Sequence, residues 1–124
     1  MNFKNQKAIY MQIADHVIEN ILAQNINGGD RMQSVREMAE SVQVNPNTVM
    51  RSYSYLQDEG LIFNKRGIGY FIAEDALNRT QDMKKTNFIQ NALPEFFRQM
   101  DLLGIDFEEL QKLYKASKNG AAEK

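Results

Sequence analysis

The chain has 124 residues, 43% hydrophobic and 25% charged, a profile that suits one small domain with a helical appendage and argues against disorder. It contains no cysteine, which excludes a disulfide framework, a thiolate zinc site and a cysteine nucleophile. The formal net charge is -1, so any affinity for a polyanion must rest on where the cations sit and not on their sum.

In chain order, the first residues, MNFKNQKAIYMQIADHV, lack the apolar core and small-residue cleavage site of a signal peptide. No apolar run approaches the roughly 18 residues needed to span a bilayer, so a cytoplasmic location is expected. Ile9, Ile13, Val17 and Ile21 recur at four-residue steps, with Tyr10, Ala14, Ile18 and Leu22 alongside, which predicts an amphipathic helix over residues 8–24. His16 lies on that helix with no cysteine and no second histidine to join it, so a surface or packing role is favoured over metal ligation.

Asn27-Gly28-Gly29-Asp30 then predicts a turn. Ser34-Val35-Arg36-Glu37 has the form of a capping box, and a short helix is predicted from Val35 to about Ser41, burying Val35, Met38 and Ala39. Asn45 suits an N-cap and Pro46 the first helical position, where its missing N–H costs nothing. The helix they open buries Val49, Tyr53 and Leu56 and stops at Gly60. Leu61-Ile62-Phe63 and Gly69-Tyr70-Phe71-Ile72 predict two short strands joined by a basic tip, Asn64-Lys65-Arg66-Gly67-Ile68.

Beyond Glu74 the pattern becomes helical, with Leu77, Phe88, Ile89, Leu93, Phe96, Phe97 and Met100 as apolar positions. Pro94 inside this segment implies a kink or a break. A turn is expected over Asp101–Ile105, then a last helix capped by Asp106 and running to about Lys115, with a disordered tail over residues 118–124. Glu108 and Glu109 suit the positive end of that helix's dipole and belong to no recognisable catalytic constellation.

Three helices followed by a two-stranded hairpin describe a winged helix-turn-helix, mainly α with a small β-hairpin. The expected division is a DNA-binding domain over 1–74, a two-helix dimerisation region over 75–117 and the tail. In such a domain the third helix enters the major groove N-terminus first, which here presents Asn45, Asn47, Thr48 and Arg51 to base edges and phosphates. Taken singly, each has an ordinary reading: Asn-Pro is a common cap, Arg36 a solvated helix residue, Lys65-Arg66 a soluble hairpin tip. Their convergence from three elements favours DNA contact.

The sequence IYMQIADHVIENI, then GGDRMQSVREMAE, VNPNTVMRSYSYLQDEGLI and KRGIGYFI, resembles in order the DNA-binding domain of GntR-type transcription regulators over about residues 8–73. The short remainder resembles the YtrA-type subfamily, whose C-terminal helices serve dimerisation. The resemblance implies that Arg36, from the S-V-R-E motif, contacts DNA from the second helix, and that Asn45, Asn47, Thr48 and Arg51 do so from the N-P-N-T-x-x-R motif. It further implies that Arg66 and Gly67 meet the minor groove, with Lys65 at a neighbouring phosphate. Four positions depart from the family's pattern. Gln33 stands where a proline is common, Gln43 where a glycine fills the turn, and Ile68 and Tyr70 where the wing carries a polar pair.

The resulting expectation is a homodimeric repressor on a palindromic DNA operator, with no enzyme activity, cofactor or metal. Phe88, Leu93, Phe96, Phe97, Met100, Leu110 and Leu113 are the candidate dimer residues, because two amphipathic helices cannot both bury a face in so small a domain. An unidentified small-molecule effector, held by Phe88, Phe96 and Phe97, is the weaker use of those aromatics. Residues 1–73 carry seven Lys/Arg against seven Asp/Glu, so nonspecific affinity should be modest and dimeric binding necessary. The alternative is a winged-helix protein-interaction module that docks through its C-terminal helices.

Overall fold

The computed structural model describes residues 7–122. The first compact unit ends at Lys84 and the second begins at Lys85. In the first, helix α1 (Ile9–Leu22) buries Ile13, Ala14, Val17, Ile18 and Ile21, while Ile9, at the head of the predicted stripe, is 43% exposed. Helix α2 (Val35–Val42) begins with the predicted capping box: the Glu37 amide donates to Ser34 Oγ at 3.0 Å and the Ser34 amide to Glu37 Oε1 at 2.8 Å. Those bonds hold the Glu37 carboxyl below its usual range, the Ser34 backbone amide first and its hydroxyl second. Only Ala39 of α2 is fully buried. Val35 and Met38, expected inside, are half-buried because an eight-residue helix lies at the margin of the core.

The Ser34 cap gives a direct prediction. Ser34→Ala should lower stability by about 1 kcal/mol, read by urea denaturation at neutral pH. A depressed carboxylate stabilises the fold above its unfolded value, and that contribution is lost as pH falls through the folded value. Because the Ser34 backbone amide, the larger cause, remains in the variant, only the hydroxyl's share is lost, and the difference between variant and wild type should narrow only slightly below about pH 4.5, the usual value for Glu37.

Helix α3 (Pro46–Asp58) has Asn45 as N-cap, its Oδ1 accepting from the Asn47 amide at 2.7 Å, and Pro46 at the first position. At its end the Gly60 amide donates to the Gln57 carbonyl and the Leu61 amide to the Leu56 carbonyl. Gly60 takes φ 77°, so this is a Schellman stop with glycine at its left-handed position. The turn before α3 needs the same conformation at Gln43, φ 57°, where the departure from glycine forces a side chain into the left-handed region.

Strands β1 (Ile62–Lys65) and β2 (Gly69–Ile72) pair antiparallel with Ile62 opposite Ile72 and Lys65 opposite Gly69. Asn64 and Lys65, expected in the tip, are therefore strand residues, and the tip is Arg66-Gly67-Ile68. A third extended segment, unpredicted, lies along β2. The Gly29 amide donates to the Ile72 carbonyl, the Ile72 amide to Asp30 and the Met32 amide to Tyr70, with Arg31 opposite Phe71. Burial of Met32 fixes its register. The core gathers Ile13, Ile21, Val49, Tyr53, Leu56, Leu61 and Ile72, so α3 is clamped between α1 and the sheet.

Helix α4 (Ala76–Asn87) buries Ala76 and Thr80 and packs Leu77 and Met83 on that core, which carries the first unit beyond the expected boundary at residue 74 to Lys84. Pro94 does not break the helical path. A π turn over Phe88–Ala92, in which the Leu93 amide reaches back to the Phe88 carbonyl, leads into helix α5 (Leu93–Leu103). The wide turn relieves the clash of the proline ring with the carbonyl four residues earlier. Gly104, φ 70°, ends α5, and Asp106 Oδ1 accepts from the Glu109 amide to cap helix α6 (Phe107–Ala122) as predicted. That helix continues past Lys115, so residues 118–122, expected as a disordered tail, are helical, while 123–124 lie outside the described residues. No helix among the described residues is long and apolar enough to cross a membrane.

Candidate nucleic-acid interface

Because Val49, Ser52, Tyr53 and Leu56 face inward, the opposite side of α3 is an outward stripe of Asn47, Met50, Arg51 and Ser54, spaced i, i+3, i+4 and i+7. Asn47 and Arg51, two of the predicted contacts, are exposed on it, and Thr48 is half-buried beside them. Met50 and Ser54 were missed, although the same helical spacing that selected the buried stripe places them. Asn45 uses its side-chain oxygen for the cap, which leaves its amide nitrogen as the group to offer a ligand.

Arg51 does not extend freely from the helix. Its guanidinium lies 4.0 Å from the centre of the Tyr10 ring, and both line a cleft completed by Ala8, Ile9, Asn47 and Thr48. The Tyr10 carbonyl accepts from the buried Ser52 hydroxyl at 2.7 Å, which ties the start of α1 to the recognition helix.

Arg36 is exposed on α2 and makes no ion pair or side-chain hydrogen bond among the described residues. Arg66 is likewise exposed and unengaged among them, at the wing tip. The tip turn closes with the Ile68 amide donating to the Lys65 carbonyl, and the positive φ of 79° falls on Gly67. A Cβ there would meet nothing within 4 Å, so glycine is required for its backbone conformation and not for room inside the domain. Lys65 leans over the Phe71 ring, 4.8 Å from its centre.

The two unusual wing residues have structural roles. Tyr70 packs edge-on against Tyr53 with ring centres 5.0 Å apart, and its hydroxyl meets Met50 Sδ at 3.8 Å, joining the wing to α3. The Ile68 side chain is exposed, while its carbonyl accepts from Arg31 Nη2 at 3.0 Å. Arg31 thus holds the wing tip from the unpredicted extended segment, a role with no local sequence signal. Gln33, in place of the usual proline, accepts at its carbonyl from the Tyr53 hydroxyl at 2.7 Å.

The second unit is a different kind of surface. Of the seven expected dimer residues, Phe88, Phe96, Phe97 and Leu113 are exposed, while Leu93, Met100 and Leu110 are half-buried. Phe88, Leu93, Phe96, Phe107, Leu110, Gln111 and Tyr114 line an apolar groove of about 460 Å³. His16 Nε2 accepts from the Asn20 side-chain NH2 at 3.4 Å and joins no metal-ligand cluster among the described residues.

Residues 9–72 match the family described as bacterial regulatory proteins, gntR family. The chain is 38% identical over 118 residues to the HTH-type transcriptional regulator YhcF of Bacillus subtilis, covering 95% of this chain and 96% of that one. It is 33% identical over 112 residues to the HTH-type transcriptional repressor YtrA of the same organism, covering 90% and 85%. A solved structure from Bacteroides thetaiotaomicron, assigned to the GntR family of transcriptional regulators, is 42% identical with a TM-score of 0.77, covering 92% of this chain and 99% of that one.

Proposed function

Since this chain belongs to the GntR family of bacterial transcription regulators and carries its winged helix-turn-helix DNA-binding domain, we propose that it is a repressor that binds a palindromic operator as a homodimer. The winged helix reads the DNA and the C-terminal helices join the two copies. The observation that carries the dimer is the imbalance of the second unit. Among described residues 85–120 no side chain is fully buried, while nine large apolar ones, including Phe88, Phe97, Leu102, Leu103 and Phe107, are exposed. A helical unit with no core of its own is stabilised by laying that face on another copy. A small apolar effector would compete for the same groove.

On each half-site, Asn45, Asn47, Thr48 and Arg51 enter the major groove, Arg36 engages backbone and base from α2, and Lys65, Arg66 and Gly67 approach the adjacent minor groove. Two-fold symmetry sets the two recognition helices about one DNA turn apart, or a multiple of it. Repression is favoured by the name of the YtrA relative. The protein acts in the cytoplasm, where the chromosome lies.

The test is fluorescence anisotropy with the duplex upstream of its own gene and a scrambled duplex, titrated in salt. The expected result is strong preference for the native duplex, saturating at two protomers per site. Equal, weak binding to both that vanishes with salt would overturn the operator reading and leave a protein-interaction module.

A further inference from the structure

We infer that Tyr10 is a positioning residue for DNA reading, a ring that holds the Arg51 guanidinium in place for its contact; this rests on the DNA-reading role proposed above. The described arginines divide by what restrains them. Arg79 is tied to Asp75 at 2.8 Å, Arg98 to Glu95 at 2.6 Å and Arg31 to the Ile68 carbonyl at 3.0 Å. Each of those bonds occupies N–H groups at the edge of the guanidinium. Arg51 alone is held over an aromatic ring, its guanidinium carbon 4.0 Å from the centre of Tyr10, with no hydrogen bond or ion pair to its N–H groups among the described residues. A cation held by a ring spends none of its N–H groups on a carboxylate or carbonyl, so the contact restrains the guanidinium while its donors stay available for a phosphate or for guanine O6 and N7.

The backbone that carries the ring is itself fixed to α3. Ser52, one position beyond Arg51, is fully buried, and its hydroxyl donates to the Tyr10 carbonyl at 2.7 Å while lying 3.2 Å from the Thr48 carbonyl. The shelf therefore moves with the recognition helix. A long, otherwise unrestrained side chain loses rotamer freedom when it docks on DNA, and pre-stacking removes part of that loss before binding. No carboxylate stands among the described residues that line this cleft, Ala8, Ile9, Tyr10, Asn47, Thr48 and Arg51, so none of them competes with DNA for this cation.

The experiment is a double-mutant cycle on the full-length protein, with anisotropy on its upstream duplex and thermal melting in parallel. Tyr10→Leu should weaken specific binding roughly two- to five-fold per protomer, a part of the ordering cost of one long side chain that the ring otherwise removes before binding. Tyr10→Phe should restore it, because the ring face is what acts. In an Arg51→Ala background Tyr10→Leu should cost nothing further. An equal loss with and without Arg51, or a loss that Tyr10→Phe does not restore, would overturn the inference and make Tyr10 merely structural. Failure of the wild type to prefer its own duplex would instead overturn the operator reading, so the two failures are distinguishable.

Discussion

Arg51→Ala should weaken operator binding by roughly 1–3 kcal/mol per protomer, the value of a bidentate base contact, while folded stability changes by less than about 1 kcal/mol. Arg51 is exposed on the outward stripe of α3, and among the described residues it makes no hydrogen bond or ion pair, only the contact with the Tyr10 ring. Alanine is the best helix former, so the substitution leaves α3 itself intact. In a dimer both half-sites lose the contact, and if they act independently the losses add to on the order of 2–6 kcal/mol. The form of the loss separates two roles. A guanine contact would cost affinity mainly on the operator and relax preference at one base pair. A phosphate contact would cost affinity on every duplex and flatten the salt dependence by about one unit per contact. Anisotropy on operator and scrambled duplexes, with melting alongside, reads both. Parallel collapse of affinity and melting temperature would sink the assignment of Arg51 to the interface.

What could be read from the sequence was the chemistry that is settled within a few residues. The Ser34–Glu37 box, the Asn45 cap with Pro46 behind it, and the Gly60 stop are each complete in a window of four or five residues, and each stands where it was expected. The recognition helix was legible for the same reason, since a buried stripe determines its own opposite face. Arg31 and Tyr10 were not legible, because their partners lie 37 and 41 residues away and meet only when β2 and α3 have packed. The extended segment at 29–32 was hidden by its paired glycines, which signal a turn and say nothing of a neighbouring strand that takes up their amides.

The second unit failed in a different way. Pro94 implied a kink or a break, and the structure has no break there: one π turn accommodates the proline within a continuing helical path, a solution that leaves no mark in residue type. The end of α6 was misplaced because residues 116–122 combine small and polar side chains that suit a helix or a loop equally. At the end of α6 the apolar periodicity that guides prediction is weak, and the backbone decides by its own hydrogen bonds.

Tyr53→Ala should have the larger effect on the fold, about 3–5 kcal/mol of lost stability, against the 5–15 kcal/mol typical of a whole domain. Tyr53 lies two residues beyond Arg51 on the opposite face of α3 and is fully buried. Its ring fills the space between α3 and Tyr70 of β2, and its hydroxyl donates to the Gln33 carbonyl just ahead of the α2 cap. Removing the side chain therefore opens a cavity and loosens the recognition helix, the wing and the start of α2 together. Burial raises the ionisation of this hydroxyl well above the ordinary tyrosine range, so it remains a donor at every pH at which the domain would be studied. Tyr53→Phe isolates that hydrogen bond. It should cost only about 1 kcal/mol, because Gln33 is exposed and water can take over its carbonyl. The phenylalanine variant should still bind DNA as wild type does, whereas the alanine variant should lose binding by more than its unfolded fraction accounts for, because the folded fraction holds its reading elements less firmly. Urea denaturation with anisotropy at each denaturant concentration separates the two. An alanine variant as stable as wild type would mean that this ring does not hold the reading head together.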